Sequence, residues 1–187
     1  ANDISVVMDP LTIVEDPRFA EVDVDFRDLN TTELVLMGDP AKINLFFLEG
    51  FSNPGGGGLL GISGGIPGAL GLESEYNGVL INGLATLSSN KDFYHRTTAE
   101  ITFHELNHLL GLFHTTEADF SEHDILVDTP DCLEVSDSNS NDRADSAECV
   151  DGLNLMFWQN DLQKEKTDLT DNQQQVIRDS VISVGSN

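Results

Sequence analysis

The chain has 187 residues and a formal net charge of −24. That is long enough for one domain with its own core, and far too acidic for a nucleic-acid binder, whose surface must be basic. No stretch approaches the ~20 consecutive apolar residues of a membrane span, and such a charge suits a soluble extracellular protein, calcium binding or a saline habitat, although solubility alone also accounts for it.

Residues 3–8 read as a short strand. Between residues 19 and 26, Ala20, Val22, Val24 and Phe26 alternate with Glu21, Asp23 and Asp25, which predicts a strand with one acidic face. Asn30-Thr31-Thr32-Glu33 opens a short helix running to Met37 and stopped by Gly38-Asp39-Pro40. Residues 43–48 form an apolar run of strand length, expected at the centre of a sheet. After the loop Pro54-Gly55-Gly56-Gly57-Gly58, residues 59–66 are expected as an edge strand and residues 78–82 as a further strand. Thr97-Thr98-Ala99-Glu100 reads as a capping box with Thr97 as N-cap. The helix beyond it carries Ile101, Phe103, Leu106, Leu109 and Leu110, an apolar surface broad enough to be buried, and Gly111 is its natural stop.

That helix holds His104-Glu105-Leu106-Asn107-His108, followed by Gly111 and His114. His104 and His108 stand one turn apart, so both imidazoles leave one face and can reach one zinc ion at roughly 2.0–2.1 Å. Glu105 sits beside the first ligand, placed to take the proton of an attacking water. Gly111 lets the chain bend at no Cβ cost and bring His114 to the same ion. Three histidines with one position left open make a catalytic site, whereas a structural zinc is closed by four protein ligands. A helix whose histidines only edge its polar face leaves Gly111 and His114 unexplained. The full pattern arises by chance in about 1 in 100,000 chains of this length. His95 and His123 lack ligand spacing to the motif and read as surface residues, and Glu117 and Glu122 are weaker candidates than His114 for the third ligand.

Residues 115–151 hold twelve carboxylates against Arg143 alone. Hard oxygen ligands suit calcium. No EF-hand loop with its fixed ligand spacing is present, so calcium is expected from acidic density alone, with Asp124 and Asp128 as weakly preferred ligands; a solvated acidic loop accounts for the run equally well. Cys132 and Cys149 flank part of this run. In a cytosolic protein they would be free thiols; in a secreted one their disulfide would contribute about 3 kcal/mol to a segment that could not otherwise order itself. The disulfide is the favoured reading, and with it secretion or exposure at the cell surface or in the periplasm. Thr170 as N-cap and Gln173 three residues on open a final helix whose Val176, Ile177 and Val181 face the core.

The pattern His-Glu-x-x-His-x-x-Gly-x-x-His is the signature of the metzincin zinc peptidases. Asn154-Leu155-Met156 is similar to the Met-turn of that clan, and Asp128-Thr129-Pro130 with Cys132 and Cys149 resembles its pappalysin-like bacterial branch. The resemblance runs over residues 42–184. It implies an α+β metzincin-like catalytic domain spanning residues 1–187. Its upper part (about 1–114) would be a twisted mixed sheet, a backing helix and the zinc helix. Its lower part (about 115–187) would be irregular and end in a helix. No helix of sufficient length for the backing role is evident in residues 1–39, so a first strand and that helix are expected upstream of Ala1. The resemblance also implies that Gly61-Ile62-Ser63 on the edge strand binds a peptide by strand addition. Trp158 stands where many metzincins have a tyrosine; it cannot ionise or ligate and is expected as an aromatic wall of the cleft or a core residue. Asp161, in the loop after the Met-turn, has two readings: it selects a basic residue just past the scissile bond, or it faces water and apolar walls from Phe157 or Trp158 select Leu or Phe there. The implied activity is zinc-dependent endopeptidase cleavage of peptides or proteins by a monomer. The competing reading is a catalytically idle binding or adhesion module, which the intact Glu105 and three ligands count against.

Overall fold

The computed structural model describes residues 9–52, 58–83, 90–160 and 164–180. In chain order these form β1 (Glu21–Val22), α1 (Leu29–Leu36), β2 (Leu45–Leu48), β3 (Gly50–Phe51), β4 (Gly61–Ser63), β5 (Val79–Asn82), α2 (Lys91–Leu109) and α3 (Asp171–Asp179), an α+β arrangement as expected. The calls on residues 3–8 and 54–57, on Asp161 and on Val181 lie outside the described residues.

The strand β5 organises the core. It pairs in parallel with β2 on one side and antiparallel with β4 on the other, giving a mixed sheet of order β2-β5-β4. Val79, Leu80 and Ile81 are all wholly buried because each face of the strand meets a helix. Val79 and Ile81 pack with Ile101, Leu106 and Leu109 of α2. Leu80 points the other way, into a cluster with Leu34 and Val35 of α1, Leu48 of β2, and Phe19, Val22 and Phe26. The eight-residue α1 thus covers the face opposite α2. Residues 43–48 are not the central strand: β2 is an outer strand of the sheet and its Phe47 is 50% exposed. The apolar run alone did not separate an outer strand from the central β5, which is of equal length.

Three further expectations are corrected by local hydrogen bonding. Residues 19–26 do not form one strand. A 3₁₀ turn (Pro17–Phe19) leads to the two-residue β1, which pairs in parallel with β3. Asp23 and Asp25 then accept the amides of Asp25 and Arg27 at 2.8 and 2.9 Å, turning the chain away from extension. The helix α1 is capped by Asp28, not Asn30, because the Asp28 carboxylate accepts from the amides of both Asn30 and Thr31. The helix α2 begins at Lys91, with the Asn90 side chain accepting from the amides of Asp92 and Phe93. Thr97 is therefore a buried interior residue and not a cap. At the other end the expectation holds. Gly111 has φ +108°, its amide donates to His108 O and that of Leu112 to Asn107 O, the paired closure of a helix that ends in a left-handed glycine. The capping box of α3 is also present, with Thr170 and Gln173 bonded to each other's backbone.

Candidate metal centre

The closure at Gly111 turns the chain back beneath α2 and delivers His114 to the two helical histidines. The three Nε2 atoms of His104, His108 and His114 form a nearly equilateral triangle with edges of 3.1, 3.1 and 3.2 Å. A point roughly 1 Å off the plane of such a triangle lies about 2.0–2.1 Å from each corner, the Zn–N distance.

The other nitrogen of each ring decides what the triangle presents. His104 Nδ1 donates to Leu155 O at 2.7 Å, His108 Nδ1 to Leu112 O at 2.7 Å and His114 Nδ1 to Glu117 Oε1 at 2.9 Å. Carbonyl and carboxylate oxygens only accept, so each Nδ1 holds its ring's proton and each Nε2 turns a bare lone pair inward. Burial, followed by the neighbouring rings, holds His104 well below the usual histidine range. Burial and then His114 bring His108 down to about 4. Three lone pairs at contact distance repel one another unless a cation sits between them. The chemistry of this donor set therefore fits a borderline-soft divalent metal.

Glu105 lies between α2 and β4. A Cβ on Gly61 would come 2.6 Å from Glu105 Cγ, so the glycine at this strand position makes room for the carboxylate. The Glu105 carboxylate accepts the Ser63 amide; burial pushes its pKa up to about 8, and the Ser63 hydrogen bond opposes that shift. The amide involved faces away from the sheet. Asn82 N donates to Leu60 O and Gly64 N to Gly78 O, so residues of even number in this strand bond to β5 and Gly61 and Ser63 turn their backbone groups outward. Gly61, Ile62 and Ser63 thus form an outer strand beside Glu105, as expected, but the Gly61 side facing α2 serves Glu105 and not an incoming peptide.

The turn after Asn154 supports the histidines from below. Met156 is wholly buried. Leu155 O accepts from His104, and Met156 O accepts the Thr115 amide at 2.9 Å, tying the turn to both ends of the motif. Asn154 Oδ1 accepts the Met156 amide at 2.8 Å, and its Nδ2 donates to Gln173 Oε1 at 2.8 Å. Gln173 is fully buried, so one side chain both caps α3 and anchors the turn. Asp151 Oδ2 accepts from the hydroxyls of Thr115 and Thr116 at 2.6 and 2.8 Å, fixing the chain just past His114.

The remaining expected residues lie elsewhere. Trp158 packs on the Cys132–Cys149 disulfide cluster, and its Nε1 donates to Ala144 O at 2.6 Å, so its N–H is directed to the lower loop. Cys132 and Cys149 are bonded, as expected. Both carboxylate oxygens of Asp128 are engaged at the start of α3, by the Thr170 hydroxyl and the Asn172 amide. Asp124 accepts the Leu126 amide. Among the described residues no third acidic or histidine ligand converges on this pair. His95 is exposed on α2 and His123 bonds to Cys132 O, both away from the triangle. Glu117, Asp151 and Gln173 were not recognised as supports. Glu117 lies three residues past His114 and Gln173 sits in the capping box, but sequence spacing does not show which group each side chain meets. Comparison of the chain with protein-family models, with curated proteins and with solved structures finds no match.

Proposed function

We propose that this chain is a secreted zinc-dependent endopeptidase of metzincin type. The observation that carries the reading is the triangle of unprotonated Nε2 atoms beside a buried Glu105 and an outward-facing strand edge. His104, His108 and His114 would hold the ion, and three protein ligands leave a coordination position for chemistry. When bound, zinc supplies a Lewis acid for the scissile carbonyl and lowers the pKa of water.

The chain's own groups do the rest. Glu105, kept between α2 and β4 by the room at Gly61, takes the proton of the attacking water and returns it to the leaving amine. A peptide laid along β4 would meet the outward backbone groups of Gly61 and the Ser63 carbonyl, the Ser63 amide being held by Glu105, and these would fix its direction and register. Glu117, Leu112 O and Leu155 O hold the imidazoles in one tautomer and orientation. Asp161 remains the proposed selector of a basic residue after the scissile bond. The disulfide is consistent with an extracellular location.

The test is cleavage of denatured casein by protein carrying one zinc per chain. Cleavage should vanish on chelation and return with added zinc. Zinc-loaded protein that cuts neither casein nor a peptide library would favour the binding-module reading instead.

A further inference from the structure

The loop that leaves the histidine site turns its apolar side chains to the solvent. Ile125 is 92% exposed, Val127 93%, Leu133 55% and Val135 89%. Single exposed aliphatic residues are ordinary, but large ones crowded into so short a stretch mark an interaction surface. The backbone beneath them is tied down, so the exposure is built into the loop. Asp124 N donates to Thr115 O at 3.3 Å, and the Asp124 carboxylate accepts the Leu126 amide at 3.0 Å. Thr129 N closes a turn on Leu126 O, and Asp128 is fastened to the start of α3. His123 bonds to Cys132 O at 2.9 Å, which brings the two ends of the loop together, and Leu133 and Val135 follow directly on that junction. Cys132 itself is buried in the disulfide.

Charge decides what can cover this surface. Glu122, Asp128, Asp131 and Glu134, all exposed, are interleaved with the apolar residues along the chain. Between Arg96 and Arg143 the sequence has no lysine or arginine. A second copy of this chain, also at −24, would bring like charge to like charge, and so would an anionic lipid headgroup or a nucleic-acid phosphate. The complementary occupant is a polypeptide segment with apolar side chains to cover Ile125, Val127, Leu133 and Val135, and with Lys or Arg to meet the carboxylates around them.

We propose that residues 125–135 are a docking surface for a basic, apolar-bearing segment of the protein substrate, separate from the strand β4. Position ties the surface to the site: Thr115, whose carbonyl holds Asp124, directly follows His114. A substrate held at the histidines has this surface beside it, and docking there selects substrates by a segment away from the scissile bond. That the occupant is a substrate rests on the peptidase reading; the match of charge and apolar contact does not.

The probe is a fluorescein-labelled peptide of alternating leucine and lysine, about 12 residues long and roughly 40 Å when extended. Its binding is read by fluorescence anisotropy on zinc-loaded, disulfide-intact protein carrying Glu105→Ala, which keeps the probe whole. Two analogues, one with serine in place of leucine and one with glutamate in place of lysine, should each bind at least about 10-fold more weakly. Ile125→Ser with Val127→Ser, and separately Leu133→Ser with Val135→Ser, should each weaken the probe by about 10-fold. The melting temperature should hold, because these side chains are exposed. In protein with Glu105 intact, the probe sequence is then joined to a casein peptide that the enzyme cuts. Either pair of substitutions should raise KM for the joined substrate and leave kcat and KM for the casein peptide alone unchanged. Equal binding of the serine analogue, or undiminished binding in both pairs, would overturn the proposal. So would capture of phosphatidylglycerol vesicles, or self-association in sedimentation, that Ile125→Ser with Val127→Ser abolishes. Probe binding that depends on these residues in a protein that cuts nothing would keep the docking surface and remove only the peptidase reading. Cleavage of the joined substrate that both pairs leave untouched would do the reverse.

Discussion

At the scale of single residues, most of what shapes this site is exclusion and support around four side chains. Gly61 is the clearest case. Any Cβ there meets Glu105 Cγ at 2.6 Å and Ile101 Cγ2 at 3.0 Å, and the strand cannot yield without leaving β5. Gly61→Ala should therefore displace the carboxylate and lower kcat by about 100-fold, the scale of a 1 Å misplacement, while zinc content stays at one per chain. Wild-type kcat in that variant would show that Glu105 tolerates the shift. Glu117 stands behind a proposed ligand, one hydrogen bond out from His114. Its carboxylate is held below the usual range, first of all by the hydrogen bond from His114. Glu117→Ala removes that acceptor and should weaken zinc by about 10- to 100-fold, as for other partners of ligating histidines. Equal zinc affinity in a competition titration would rule out that role.

At the scale of elements, the sequence was most legible where a residue type has one dominant conformational use. Gly111 as a helix stop and Thr170 with Gln173 as a capping box were both readable, because left-handed φ and reciprocal capping leave few substitutes. The start of α2 was not. Thr97 and Glu100 satisfy the capping pattern, yet Asn90 caps a helix that passes through them, and local patterns do not rank two competing caps. The convergence of His104, His108 and His114 was legible because its spacing is geometric. Its supports Leu155 O and Gln173 were not, because they depend on contacts 51 residues from His104 and 19 residues from Asn154. The Asn154–Gln173 pair yields a prediction at this scale. Gln173→Ala leaves a buried amide unpaired and should destabilise the protein by about 1–3 kcal/mol, read as a lower urea midpoint at unchanged slope. A change within error would mean that the amide pair does not hold α3 to the turn.

At the scale of the whole molecule, three histidines are assembled inside a chain of net charge −24. The compact state carries that self-repulsion, which mobile ions screen as the Debye length falls to about 3 Å at 1 M salt. The melting temperature in potassium chloride should rise between low salt and 1 M, and a flat or falling curve would show that the charges are already compensated. The sheet, its two covering helices and the disulfide-closed loop together bring into one place groups that are far apart in sequence. The central claim is that this assembly is a zinc peptidase with Glu105 as its base. The most direct test is Glu105→Ala, assayed for bound zinc and for peptide cleavage in the same preparation. The account predicts one zinc per chain, a wild-type melting temperature and cleavage reduced by several orders of magnitude. A Glu105→Ala protein that binds zinc and cleaves at the wild-type rate would contradict it.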